Sequence, residues 1–412
     1  MSNARNEKIL ALRCLSILAL LANSAPVRAD EGGVGFWIPG FFGSLAAVPQ
    51  QAPGWSVATI YYHASVSAGG DVARAREIQI GRIPANLTAT LDANVNAKVD
   101  LGMVAGTYVF ATPVLGGQAS ASLLGIYGAN STSLAGSLTG TLATPLGTIP
   151  FSRFDSIDSS IIAFGDLVPQ FALRWNAGVH NYVTYITGDI PVGAYESTRL
   201  ANLGLGHGAI DAGGGYTYFN PQTGHEFSAV LGFTYNFKNT ATQYQNGVDM
   251  HLDWGASQFL TKQVQLGLVG YLYQQLGCDS GSGDRVGCFQ SRVAGIGPQI
   301  GYIFPLGDGL QGYVNVKGYW EFAAQNRPEG WNTWLTFAIS PAAPAPASGK
   351  PIVRKYIEGL WCVAGQQAMT CGGVSLSAAF VQWWCCGRPQ EKRKRPDACV
   401  GWVFCCNCPK TV

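Results

Sequence analysis

Between Gly309 and Phe322 the chain reads GLQGYVNVKGYWEF. Leu310, Gly312, Val314, Val316, Gly318, Trp320 and Phe322 alternate there with Gln311, Tyr313, Asn315, Lys317, Tyr319 and Glu321. Period-two alternation puts apolar side chains on one face of an extended strand and polar ones on the other. Similar segments recur from residue 55 to residue 340, with aromatic residues near the ends of their apolar faces. Strands that face two solvents in this way fit a closed barrel with lipid outside and water inside, since a bilayer admits no unpaired strand edge. The predicted fold is therefore all-β: a transmembrane antiparallel barrel of about 12 strands, with ten to fourteen admissible and an even number expected.

Composition narrows the alternatives. Charged residues make up 12% of the 412 residues and the net charge is only +2, which excludes a general nucleic-acid binder. The 53 glycines follow no triplet repeat, so collagen is excluded and strands that bend and pack closely are favoured. No run of eighteen apolar residues occurs, which argues against a helical membrane protein and leaves a barrel untouched.

The N-terminus reads as an export signal. Arg5, Lys8 and Arg13 precede the apolar stretch Cys14 to Ala22, and Val27-Arg28-Ala29 offers small residues for cleavage before Asp30. Residues 30–54 follow as an apolar segment rich in Gly, Pro and Phe, in which Pro39, Pro49 and Pro53 oppose both helix and central strand. Phe36, Trp37, Phe41 and Phe42 need burial. Two places offer it: a plug in the barrel lumen, or a periplasmic strap beneath the barrel.

From there the strands are expected in order. Trp55 to Ala68 is the first, and Leu87 to Ala111 reads as two more, the second loosened at Gly102 and Gly106. A further strand covers Gln118 to Asn130, and the Gly/Ser/Thr-rich stretch from Ser131 to Ser160 reads as a long loop. Asp166 to Asn176 alternates, but Pro169 falls within its apolar set and implies a bulge or similar irregularity. Clear strands then follow at 181–189, 208–219, 224–237, 248–258, 263–275, 292–304, 309–322 and 331–340. The ionisable residues on the faces assigned to the lumen are Asp166, Arg174, Asp189, Glu226, Asp249, His251, Asp253, Lys317 and Glu321. In an open pore this excess of carboxylates would favour cations or neutral polar solutes.

The chain resembles the outer-membrane proteins grouped as the "putative MetA-pathway of phenol degradation" family. The resemblance rests on Pro39-Gly40-Phe41-Phe42-Gly43-Ser44, on the turn Thr187-Gly188-Asp189-Ile190-Pro191-Val192-Gly193, and on Gly330-Trp331-Asn332-Thr333-Trp334-Leu335-Thr336-Phe337. It spans residues 30 to 340. It implies a barrel in the bacterial outer membrane that admits small, often aromatic, compounds. The sequence departs from the family at its end, where such barrels finish on an aromatic residue of the last strand. Here Phe337 and Ile339 precede a Pro/Ala linker at 341–349 and a tail at 350–412.

Eight of the 11 cysteines lie in that tail, from Cys362 to Cys408. Only Cys405-Cys406-x-Cys408 comes near a zinc-type spacing, so no metal site is assigned. The tail is either a disulfide-bonded module or a stretch that did not evolve as a domain, such as an altered reading frame would give. Cys278 and Cys288 differ, because they bracket a flexible loop between two good strands and are expected to form a disulfide in an oxidising compartment.

No catalytic constellation emerges. His251 and Asp253 share a strand face but sit side by side, and no G-x-S-x-G motif occurs. The Gly-rich run at 204–208 lacks the full dinucleotide fingerprint, so no cofactor is expected. The leading functional expectation is a non-enzymatic channel for passive uptake of small hydrophobic or aromatic solutes, with outer-membrane lipid as its surroundings. The alternatives are a structural or adhesive barrel with a filled lumen and, third, an outer-membrane hydrolase.

Overall fold

Each strand pairs with its sequence neighbour, and the last closes on the first. The computed structural model describes residues 35–47, 52–69, 89–144, 147–284 and 287–342. The export signal, the linker beyond residue 342 and the Cys-rich tail lie outside the described residues. The strands are β1 (Gly54–Gly69), β2 (Ala89–Val109), β3 (Gln118–Thr144), β4 (Gly147–Ala177), β5 (His180–Asp189) and β6 (Ala209–Phe219). They continue with β7 (His225–Asn236), β8 (Asp249–Phe259), β9 (Val264–Gln275), β10 (Arg292–Gly307), β11 (Leu310–Gln325) and β12 (Glu329–Pro341). All neighbours are antiparallel, and β1 meets β12 in a continuous register from Val57 opposite Ile339 to Ser67 opposite Glu329, which seals the barrel.

One end of the barrel carries short turns, as between Ala177 and His180 or Gly307 and Leu310, and the other carries long connections such as 190–208 and 276–291. In single-chain bacterial barrels the short-turn end is periplasmic. The outward face is apolar along the middle of the wall, with Val104, Ile186, Leu268, Ile300 and Leu335 all exposed. Trp55 and Tyr108 pair near the periplasmic border, and Trp320 and Trp331 pair near the other, as in the aromatic girdles of membrane barrels. At the upper border polarity returns: Tyr61 donates to Asp100 at 2.5 Å, and His63 Nδ1 lies 2.7 Å from the same oxygen.

Two sequence expectations need correction, and a third is refined. Leu87 to Ala111 yields one strand, not two. Gly102 sits in the ladder between Tyr61 and Tyr127, paired on both sides, so it does not break the strand. The stretch from Ser131 to Ser160 is no loop. It forms the upper parts of β3 and β4, which pair from Ser131 opposite Ser160 to Thr144 opposite Gly147. At 27 and 31 residues these strands outrun the 10 of β5, and their upper parts are rich in Ser, Thr and Gly, with Leu134 and Ile157 packing inward on Val95 and Leu200. The bulge near Pro169 lies a few residues earlier, where Gly125 faces Leu167 but Tyr127 faces Phe164. Pro169 itself stands where the β4–β5 ladder is interrupted, between Gln170 opposite Thr187 and the bridge from Leu167 to Ile190.

Candidate functional site

The lumen is not a uniform water-filled tube. Residues 35–47 run inside it, and Trp37, 5% exposed, joins a core cluster with Tyr185, Val269, Tyr271, Tyr319 and Trp334 from the wall. Phe36, Phe41 and Phe42 pack against the same cluster. At its start the segment lies against Asp249 and Tyr273, near the long-loop ends of β8 and β9. At its end the backbone amides of Leu45 and Ala47 donate to Glu226 (2.8 Å) and Thr217 (3.0 Å), near the periplasmic turns. The segment therefore descends the barrel before leading into β1.

Its central turn is held from two sides. Lys317 Nζ donates to the carbonyls of Gly40 (2.6 Å), Phe41 (3.2 Å) and Phe42 (3.3 Å). The carboxylate of Asp253 accepts from the amides of Gly40 (2.9 Å) and Phe42 (3.3 Å). A cation thus meets the carbonyls and an anion meets the amides of one turn, so the backbone groups that Pro39 and the lack of secondary structure leave unpaired are satisfied by charge. Gly40 has φ +86°, and a Cβ there would lie 2.9 Å from the Tyr319 ring, so only glycine fits the turn. Lower down, Gln299 Nε2 donates to Ser44 at 2.5 Å. Above, the Trp37 indole lies face to face with the His251 imidazole, centroids 3.6 Å apart.

All nine ionisable residues assigned to the lumen point inward, but they do not form a bare, solvated lining. Asp249, His251 and Asp253 are at most 1% exposed, and Glu226 and Lys317 are buried as well. Asp249 accepts from Asn236 (2.8 Å), and Glu226 also accepts from Ser257 (2.7 Å). Glu321 accepts from Tyr271 (2.7 Å) and from the amide of Gly330 (2.9 Å). Arg174 donates to Ser120 (3.0 Å), and Asp189 is buried at the end of β5. Asp166 binds the 190–208 connection, accepting from the amides of Gly193 and Leu205 at 2.7 Å each. Most of these groups hold the wall, the inner segment and the connection together, and of the nine Asp166, Asp189 and Glu321 also border the remaining space.

His251 does not pair with Asp253. Its Nε2 lies 3.0 Å from Asp211 on β6 and 3.3 Å from the Tyr185 hydroxyl. Asp211 escaped the sequence reading because β6 continues Gly213-Gly214-Gly215, which blurs its alternation. Cys278 and Cys288 are joined by a disulfide in the connection from β9 to β10.

The other half of the lumen is different in kind. The inward faces of β1, β2 and β3 carry Ile60, Tyr62, Val99, Leu101, Met103, Leu124 and Ile126, and they border a cavity of about 550 Å³. Phe36, Trp37 and Phe41 of the inner segment form its opposite wall, while Tyr195, Leu200 and Leu203 of the 190–208 connection border it as well. Sequence reasoning missed this wall. Its signal is that β1 is apolar on both faces: Val57 and Tyr61 point outward, Ile60 and Tyr62 inward. The arrangement joins a polar half-lumen that anchors a chain segment to an apolar half-lumen that leaves space beside it.

Comparison with known proteins follows the same line. The family model described as "Putative MetA-pathway of phenol degradation" matches residues 67–337, most of the barrel. The chain belongs to this family. Among solved structures it is similar to an outer membrane channel from Pseudomonas putida F1, at 13% identity and a TM-score of 0.50, covering 70% of this chain and 96% of that one. A FadL homologue from Pseudomonas aeruginosa matches at 10% identity and a TM-score of 0.30, over 77% of this chain and 98% of that one. The CymD monoaromatic hydrocarbon channel matches at 8% identity and a TM-score of 0.28, over 78% of this chain and all (100%) of that one. At 13% identity and a TM-score of 0.50, the likeness to the Pseudomonas putida channel speaks to the outer-membrane barrel fold alone. No curated protein sequence matches the chain.

Proposed function

We propose that this family member is an outer-membrane channel for passive uptake of small hydrophobic or aromatic compounds, with residues 35–47 as its lumen plug. The observation that carries the reading is the aliphatic and aromatic cavity of about 550 Å³ beside the packed segment 35–47 inside the barrel. A cavity of that size, between a fixed aromatic segment and the largely aliphatic faces of β1, β2 and β3, favours solutes that leave water readily. Family membership, tied by its description to phenol degradation, agrees with such cargo. Movement down a gradient needs no energy source, and solute consumed inside the cell maintains that gradient.

A catalytic role is not assigned to His251. It is fully buried, stacked on Trp37 and paired with Asp211, which suits an anchoring side chain rather than a base that meets substrate. Uptake of radiolabelled hydrophobic compounds by cells with and without the protein, with a small sugar as control, tests the proposal. Faster entry of the hydrophobic compounds alone is expected. Equal rates in both strains would refute it.

A further inference from the structure

We infer that the cavity is built for a bulky uncharged solute, a fused-ring or long-chain molecule, and not for a single phenolic ring. The inference rests on the uptake reading and specifies its cargo. Size comes first. A dry cavity of about 150 Å³ suffices to bind benzene, whereas this one measures about 550 Å³. One ring would leave most of the space to be filled by something else. Water suits the polar side chains that also border the cavity, such as Thr107, Ser122, Asn130 and Gln170, but not the stretch of Ile60, Val99, Leu101, Leu124 and Ile126, whose side chains offer none of the two to four polar partners a buried water needs. An empty remainder forfeits the dispersion contacts of every atom lining it. A solute several rings long meets the aliphatic wall and the aromatic plug together.

Charge comes second. Three carboxylates, Asp166, Asp189 and Glu321, border the cavity against one guanidinium, Arg327. Both oxygens of Asp166 accept backbone amides, and both of Glu321 accept protein donors. The Arg327 guanidinium lies over the Tyr273 ring, 4.5 Å from its centroid. An anionic solute would therefore meet a surplus of like charge in an apolar surrounding, which rejects it. The small side chains Ala64, Ala97 and Ala105 keep the wall open and offer places to close it.

The test uses the purified full chain in lipid nanodiscs, with empty nanodiscs subtracted, and equilibrium dialysis of phenol, phenanthrene and 9-phenanthrenecarboxylate. Phenanthrene is expected to bind one per barrel, at least tenfold more tightly than either other probe. Ala97→Phe, and separately the milder Ala105→Leu, should weaken phenanthrene at least tenfold while leaving phenol within twofold, in barrels that keep their heat-resistant electrophoretic mobility. Phenol binding as tightly as phenanthrene, or phenanthrene affinity unchanged in both folded variants, overturns the size inference. Equal binding of the carboxylate overturns the charge inference. If phenol alone binds and enters cells through the protein, the cargo assignment falls and the uptake reading stands. If no probe binds and none enters, both fall.

Discussion

The ammonium of Lys317 lies 2.6 Å from the carbonyl oxygen of Gly40, across 277 residues of chain. Asp253 grips the amide of the same residue from the other side. Together they make one turn of an otherwise irregular segment part of the barrel wall.

Lys317→Met should loosen that turn. It removes three charge-assisted bonds, each worth about 1.5–3 kcal/mol, and leaves Asp253 buried without its neighbouring cation. The expected result in planar bilayers is a larger and noisier ion current than wild type. Asp253→Asn should act less strongly, since the amide oxygen can still accept from Gly40. Gly40→Ala should resemble Lys317→Met, because the new Cβ would strike the Tyr319 ring.

Trp37→Ala removes the largest side chain of the inner segment from a site 5% exposed and strips the His251 ring of its stacking partner. Buried Trp-to-Ala changes typically cost about 3–5 kcal/mol. A lower urea midpoint for the barrel, followed by electrophoretic mobility, is expected, with Trp37→Phe falling between. An unchanged midpoint would mean the segment adds nothing to the fold.

The disulfide between Cys278 and Cys288 closes a sequence separation of 10 in the connection from β9 to β10. Loops of this size gain about 2–3 kcal/mol from a cross-link. The double Ser variant should be cut faster by protease within 276–291, while hydrophobic uptake keeps its wild-type rate, because the loop does not border the cavity.

That loop also carries a pH dependence. Asp279 accepts from the Tyr244 hydroxyl, from Gln275 Nε2 and from the Gly247 amide. Burial nonetheless outweighs these bonds and pushes its carboxyl above the ordinary range. A raised folded-state value means that the contribution to stability is fully present below the unfolded value, about 3.9, and is lost as pH rises through the folded one. Hydrogen exchange at 276–284, corrected for intrinsic rates, should show protection falling as pH rises through that window. Asp279→Asn should flatten the trend.

How much of this was legible in the sequence follows from solvent. Where one face of a strand meets lipid and the other a polar interior, as in β7, β8 and β11, alternation is plain and the strand can be read directly. The upper parts of β3 and β4 are rich in Ser, Thr and Gly and carry few apolar side chains such as Leu134 and Ile157, so they looked like a loop. β1 and the lower part of β2, from Leu101 to Val109, are apolar or small on both faces, which hid the cavity wall in a run without clear alternation. The inward carboxylates could be placed on a face, but their partners could not. Asp253 and Gly40 are 213 residues apart, and only closure of the barrel brings them together.

The account stands or falls on whether the apolar half-lumen carries solute. The direct measurement is the initial rate of radiolabelled phenanthrene uptake by cells producing equal amounts of folded wild-type or Ala97→Phe barrel, beside cells with neither. Wild-type cells should take it up several-fold faster than cells without the protein, and the Ala97→Phe cells should drop to that background. Rates that are the same in all three strains would contradict the account.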